Sequence, residues 1–527
     1  MKLTTDDRRA LSESYFSKER LAEHHFRSFN SFLEHGMQDV VTEKRVIETD
    51  IGDKGDVPPI YVELGNIRVT TPRVREADGS EEILYPQEAR LRNLTYSAPL
   101  FMEMSILQGR GDHAKVLDTS EIKIGRMPIM LRSNVCNISD FTNEELIEIG
   151  EDPEDPGGYF IVNGSERVLM TSEDLSPNKI IAEYDSRYGD QIQVAKTFSQ
   201  RRGYRALVLV ERSRGGILEV NFPSISGFVN FVTLVRALGL ELDEDIVKRV
   251  SDDPEVIKFM LENLEEATVQ THEEAIQKLG SRVASGQGRN YQLKRATYII
   301  DRYLLPHLHQ SGFSDEDTRI AKAYYLCRMA EACFELALGR RAPDDKDHYS
   351  NKRLKVSGDL MQDLFRTALN KLARDVKYQL ERAHMRNRNL TVSTVVRSDV
   401  LTERLEHPLA TGNWVGGRSG VSQLVDRTDF MGVLSHLRRL RSPLSRSQPH
   451  FEARDLHATQ WGRICPSETP EGPNCGLVKN FAQSMELSQS VPDSEKLVHE
   501  LFSLGVNRLP GFAELNPNAV SIEEEAS

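Results

Sequence analysis

Apolar side chains recur at mostly helical steps along the first 50 residues, at Leu11, Tyr15, Phe16, Leu21 and Phe26 and then Phe29, Phe32 and Leu33. This stretch is predicted to be helical with one buried face. The period then changes. Ile60–Thr70 reads IYVELGNIRVT, largely alternating, which predicts a strand. A hairpin turn is expected at Ala77–Gly79 and a further strand over Leu94–Ile106. A helix is predicted from Asn143 to Gly150. After it, Asp155-Pro156-Gly157-Gly158 is a turn, Tyr159–Val162 a strand and Asn163-Gly164 a hairpin turn.

From Asp174 onward the texture differs. ALVLVERSRGGILEVNFPS predicts a hairpin turning at Arg214-Gly215-Gly216, followed by helices over Val229–Leu240 and Asp243–Glu266. A longer helix has Ser314 as its N-cap and Gly339 just past its end. Ile320, Ala323, Tyr324, Cys327, Ala330, Phe334 and Leu338 share its apolar face, which puts Cys327 and Cys333 in the core. Another amphipathic helix runs from Ser357 to about His384, with Leu360, Leu364, Phe365, Ala368, Leu372 and Val376 as the buried stripe. Arg366, Lys371, Arg374, Lys377 and Arg382 occupy its other faces; a solvated surface and proximity to a DNA backbone both fit them.

Near the C-terminus the periodicity stops. His436–Asn480 reads HLRRLRSPLSRSQPHFEARDLHATQWGRICPSETPEGPNCGLVKN. Prolines at this density fix φ and remove backbone donors, so most of the segment is expected to be irregular yet ordered. Arg427–Arg463 holds seven arginines, three acids and no lysine. Arginine used this way suits planar contact with phosphate or carboxylate. Internal arginine–carboxylate pairs bracing a proline-rich loop fit the residues equally well. Glu468 and Glu471, if buried beside arginines, would be structural ion pairs rather than general bases. Upstream, Thr411–Gly420 forms a glycine-rich loop that lacks the Gly-Lys-Ser/Thr ending of a phosphate-binding P-loop. Gly286-Gln287-Gly288 has no third glycine at dinucleotide spacing and is read as a loop.

The totals narrow the class. A chain of 527 residues is too long for one core and implies about two to four domains. Hydrophobic content of 39% and charged content of 28% fit a globular protein. No apolar run is long enough to span a membrane and the N-terminus has no apolar signal core, so a cytoplasmic location is expected. Five scattered cysteines fit reduced thiols. His457, Cys465 and Cys475 match no zinc spacing, and no metal site is expected. A net charge of −13 argues against a freestanding nucleic-acid binder and allows a subunit with one local basic face.

Gly462–Asn480, GRICPSETPEGPNCGLVKN, with the HLRR run at His436–Arg439, resembles the fork region of the second-largest subunit of multisubunit DNA-directed RNA polymerases, nearest to the archaeal form. IGRMPIMLRSNVC (Ile124–Cys136) and GGYFIVNGSERVL (Gly157–Leu169) resemble the protrusion domain of that subunit, as does Asp344–Met361. The resemblance implies an α+β multidomain chain. Its mixed helix and sheet protrusion (1–173 and 341–400) carries an inserted lobe (174–340). An irregular proline- and arginine-rich fork (401–482) follows, then the start of an external region with an acidic tail (483–527).

The family's zinc site, triphosphate-contacting residues and NADFDGD-like magnesium string are not found in the sequence. The chain therefore resembles the N-terminal half of a split second-largest subunit, not catalytic alone and binding no cofactor itself, with Mg2+ expected in the largest subunit. The implied partners are the missing C-terminal half, the largest subunit and the rest of the polymerase, template and non-template DNA, and the RNA–DNA hybrid. The two fork loops place Gly412, Asn413, Trp414, Arg418, Arg438, Arg439, Arg441 and Arg446 near nucleic acid. Arg454, Asp455, Arg463, Glu468 and Glu471 would hold the fork together. A standalone nucleic-acid-binding regulator and a purely structural scaffold are the competing classes.

Overall fold

The computed structural model describes residues 4–15, 18–51, 58–109, 114–187, 190–309, 314–488 and 494–505. The predicted acidic tail lies outside them. Helices Thr5–Tyr15, Lys18–Ser31 and Met37–Glu43 open the chain, the last two joined by a π-helical turn at Phe32–Gly36. An antiparallel sheet follows in the spatial order Val46–Glu48, Ile60–Val69, Ser97–Gln108, Lys115–Pro128. The predicted turn at Ala77–Gly79 joins the short pair Arg73–Arg75 and Glu81–Ile83. Asn163-Gly164 turns the hairpin Phe160–Val162 to Ser165–Leu169, with both residues at positive φ.

Apolar residues gather in two clusters rather than one. The first draws on residues 22–170 and again on 360–437; the second draws only on residues 182–336. The segment between therefore has its own core. It contains a five-stranded antiparallel meander, Ile180–Arg187, Asp190–Arg201, Tyr204–Arg212, Leu218–Asn221 and Val229–Asn230. Helices cover it, and Asp315–Ala337 lies centrally with Cys327 and Cys333 buried. Ser314 caps that helix in a reciprocal capping box with Asp317.

Two expectations for this segment need correction. Asp243–Glu266 is not one helix but two, Asp243–Val250 and Pro254–Glu265. The Asp253 carboxylate accepts from the Glu255 N–H, and Pro254 takes the first helical position, where its missing donor costs nothing. Helices His272–Val283 and Arg289–Tyr303 were not predicted at all. Both are largely polar, so their apolar stripe is thin. The Gly286–Gly288 loop separates them.

The first cluster is organised around the helix Ser357–Met385, whose predicted stripe is buried throughout. Its basic residues are partly committed: Arg366 pairs with Glu43 and Asp363, and Lys377 with Asp50. A second sheet gathers strands from four distant places, in the order Lys352–Lys355, Thr171–Leu175, Arg439–Arg441, Val478–Asn480. Arg439–Arg441 runs parallel to Thr171–Leu175, with Leu440 opposite Thr171, and antiparallel to Val478–Asn480. The proline- and arginine-rich segment is thus irregular in its middle and anchored by a strand at each end.

Buried histidines reinforce that anchoring. His25 is 1% exposed. Its Nε2 donates to the Leu437 carbonyl at 2.7 Å, and Nδ1 accepts from Ser357 Oγ at 2.5 Å. A carbonyl only accepts, which sets the tautomer. Burial pushes the ring's pKa down to about 4, and burial does the same for His307 and His436. Unfolded imidazoles bind protons below about pH 6.5 while these do not, so stability is full above that pH and falls as pH drops toward 4. His25 alone should cost about 2 kcal/mol between pH 7 and pH 5. Denaturant midpoints across that range check this; flat midpoints would mean the ring becomes charged in place.

Candidate nucleic-acid interface

The two loops read from the sequence meet across one open cleft of about 1300 Å³. Gly416–Val421 forms one wall and Arg441–Ala453 the other, with Thr171–Leu175 of the mixed sheet beneath. The glycine loop is set by the helix before it. Gly412 ends Ser398–Thr411 in the left-handed conformation at φ +79°, where a Cβ would lie 2.6 Å from the Ser422 carbonyl oxygen. Gly420 at φ +67° leaves room for Arg441, whose Nη1 would be 2.7 Å from a Cβ there.

Arg438, Arg441, Arg454 and Arg463 are bound to carbonyl oxygens, not to the carboxylates that bracing ion pairs would need. Arg441 Nη1 donates to Ser419 O at 2.5 Å and Gly420 O at 3.2 Å. Arg454 donates to Pro473 O and Cys475 O, and Arg463 to Thr459 O. A carbonyl orients a guanidinium but leaves its full positive charge in place, whereas a carboxylate would cancel it. Arg427 is the exception, paired with Glu166 at 2.5 Å and Asp155 at 2.8 Å. It belongs to a network in which Arg90 holds Glu151 and Glu166, and Tyr159 Oη donates to Asp155 while accepting from both arginines. Much of the GGYFIVNGSER string is explained by that network.

The expected site residues separate into groups. Arg418, Arg441 and Arg446 face the cleft together. Arg446 is exposed. Burial, and then the nearby Arg446, lower the pKa of Arg441 from its ordinary value. Two guanidiniums lining one cleft leave a position suited to an anion. Arg418 Nη2 lies 2.5 Å from Asp174, which also attracts Arg205 at 3.6 Å. Six cationic and four acidic side chains line the cleft, leaving it net positive.

Other members of the set are corrected. Trp414 does not face the cleft: it is 6% exposed and packs in the first core, with Nε1 donating to Leu360 O at 3.1 Å. Its indole is the apolar anchor of an otherwise polar loop. The Arg438 guanidinium is also buried, donating to Leu21 O and Ala482 O. Arg439 is half-buried, whereas Asn413 and Asp455 are exposed. Glu468 and Glu471 are exposed rather than buried beside arginines; Glu468 accepts from Ser435 Oγ at 2.5 Å.

Sequence reasoning missed the centre of the cleft floor. The Glu173 carboxylate lies 2.5 Å from Lys352 Nζ and 2.9 Å from Lys479 Nζ, and accepts from Tyr349 Oη at 3.2 Å. Its side chain is 3% exposed. Burial alone would raise its pKa; Lys479 and Lys352 outweigh that and hold it below the usual carboxylate value. Among the described residues, no group of three or more His, Cys, Asp or Glu side chains is placed to hold a metal ion. No described helix is long and apolar enough to cross a membrane.

Comparison with known proteins decides the family. The profile described as RNA polymerase beta subunit matches residues 20–403, and that described as RNA polymerase Rpb2, domain 3, matches residues 423–487. The chain belongs to the RNA polymerase beta-subunit family. This polymerase subunit is 80% identical over 520 residues to the DNA-directed RNA polymerase subunit Rpo2N of Halobacterium salinarum, covering 98% of the chain and 99% of the relative. It is 49% identical over 502 residues to Rpo2N of Methanocaldococcus jannaschii, covering 95% and 99%. With Rpo2 of Saccharolobus solfataricus it shares 48% identity over 506 residues, 96% of the chain but 44% of that relative. The polymerase subunit thus corresponds to the N-terminal half of the split archaeal second-largest subunit. It acts within a nucleotidyltransferase complex that transcribes DNA. The first profile ends before the glycine loop and the second begins after it, so the cleft lies where the two matched regions face each other.

Proposed function

We propose that this subunit forms a wall of the DNA channel and the edge of the active centre, and that the cleft between its two loops helps to keep the DNA strands apart. In this reading residues 1–173 and 341–400 are the protrusion, 174–340 the inserted lobe, 401–482 the fork and 483–527 the start of the external region. The separate core of residues 182–336 supports the insertion. One observation carries the function: Arg441 and Arg446 line the same open cleft, Arg441 held by the Ser419 and Gly420 carbonyls instead of being cancelled by a carboxylate, and Arg446 exposed. Such a pair can grip backbone phosphates without reading bases. The intervening prolines stiffen the loop without demanding backbone partners.

The C-terminal half of the split subunit and the largest subunit are the partners this requires. The reading assigns Mg2+ to the largest subunit and no proton-transfer role to Glu468 or Glu471. A standalone nucleic-acid-binding regulator would have to bind DNA as an isolated chain, against a net charge of −13.

Replacing Arg441 and Arg446 together with alanine should shorten the lifetime of the open complex about tenfold at low salt and make its loss with added salt less steep, because two phosphate contacts are gone. Permanganate footprinting of the melted region in the reassembled polymerase, across a salt series, tests this. An unchanged footprint would remove the pair from strand separation.

A further inference from the structure

The last described helix is Ser494–Ser503, with the sequence SEKLVHELFS. It belongs to a unit that begins at Met485, and both apolar clusters are made of earlier residues. Its leucines are uncovered. Leu497, Leu501 and Leu504 follow one another at steps of four and three residues, so they form one stripe about 10 Å long at 1.5 Å per residue. Leu504 stands just past the helix end, and its N–H still donates to the Glu500 carbonyl at 3.1 Å. Leu497 is 42% exposed, Leu501 41% and Leu504 80%. A single exposed leucine on a surface is ordinary, whereas a contiguous apolar stripe marks a face that something covers. Ten residues are also too few for a helix to persist in water without packing.

The relatives say what covers it. The profile for Rpb2, domain 3, stops at residue 487, just before the helix. The match to Rpo2 of Saccharolobus solfataricus takes in 96% of this chain, too much to stop short of the helix, yet only 44% of that relative. In the undivided subunit the corresponding segment therefore lies inside a longer chain and runs on into the other half. There the following sequence is tethered beside the stripe and can cover it without a separate encounter. In the split form the tether is absent and the apolar face remains, so the same surface must be covered across two chains.

We propose that the helix Ser494–Ser503 is a docking element for the C-terminal half of the split subunit, which receives Leu497, Leu501 and Leu504 in an apolar groove. The proposal rests on the reading above that this half is the subunit's partner.

The test compares amide hydrogen exchange over residues 494–505 in the full-length subunit alone and after assembly with the C-terminal half of the same polymerase. Alone, these amides should exchange nearly as fast as in an unfolded peptide; assembled, they should exchange about a hundredfold more slowly, as a packed helix does. Leu497→Gln with Leu501→Gln should abolish that protection, because glutamine keeps the helix propensity and loses the apolar contact. His499→Gln, about 200° round the helix from Leu497, should keep it. Loss of assembly by the leucine pair but not by His499→Gln would support the docking equally. Halves that assemble with no gain of protection, or with protection that the leucine pair leaves intact, would overturn the docking and leave the partnership standing. Halves that assemble neither as a pair nor in the whole polymerase would overturn both. Protection already present in the isolated subunit would assign the stripe to this chain itself, or to a second copy if it rises with concentration. Protection that appears only with the largest subunit would assign it there. Each of these outcomes overturns the proposal.

Discussion

Replacing Glu173 with alanine should destabilise the chain by about 3–5 kcal/mol, the range for removing one partner of a buried ion pair. The carboxylate is enclosed, with Lys352 on one oxygen and Lys479 on the other. Without it, two ammonium groups would lie beneath the cleft, with Asp347 at 3.2 Å from Lys352 as a remaining carboxylate. Those lysines come from strands Lys352–Lys355 and Val478–Asn480, so the loss acts on both outer strands of the mixed sheet at once. Thermal unfolding of the purified subunit measures the effect. Adding Lys479→Met should recover part of the loss, because one buried charge is then gone. A loss below about 1 kcal/mol in the single variant would mean that the lysines find water instead.

Gly358→Ala should be comparably severe, although alanine is the better helix former by about 1 kcal/mol. The first turn of Ser357–Met385 crosses the helix Lys18–Ser31 so closely that a Cβ at position 358 would overlap the Ser28 carbonyl. Gly358 N–H also donates to Ser28 Oγ at 2.9 Å. The backbone at Ser28 cannot yield without disturbing His25 and Phe29, both buried. Overpacking against backbone should exceed the propensity gain and leave a net loss of about 3 kcal/mol. Soluble yield and melting temperature check it; a variant as stable as the parent would show that the two helices can separate freely.

Local signals were legible where one residue decides. Ser314, Gly339 and the Asn163-Gly164 turn stand where their chemistry predicts, because caps and tight turns depend on a few adjacent atoms. The break at Asp253-Pro254 was equally written in the chain, but apolar spacing continued across it and hid the cap. Long-range partners were not legible. In one arginine run, Arg438 is buried among carbonyls from residues 21 and 482 while Arg446 is exposed, and nothing in the local sequence separates them. The resemblance places Trp414 with its loop near nucleic acid; its burial depends on Leu360, 54 positions away. Glu173 reads as one more acid in a short strand, and only the arrival of Lys352 and Lys479 makes it an internal charge. The family strings identify the family, but they do not tell a side chain that faces the cleft from one that supports its wall.

The mixed sheet also governs the order in which this chain can mature. Thr171–Leu175 leaves the ribosome long before Arg439–Arg441, and the sheet closes only when Val478–Asn480 has followed. His25 and Leu21 likewise wait for Leu437 and Arg438. The segment with its own core, residues 182–336, needs no such delay and can fold during synthesis as a unit. Nascent chains of this subunit should therefore carry a finished middle between unfinished flanks, with one edge of Thr171–Leu175 bare until Lys352–Lys355 is made and the other until Arg439–Arg441 follows. That interval is when the chain is most exposed to mispairing with its neighbours, and when a chaperone would matter most.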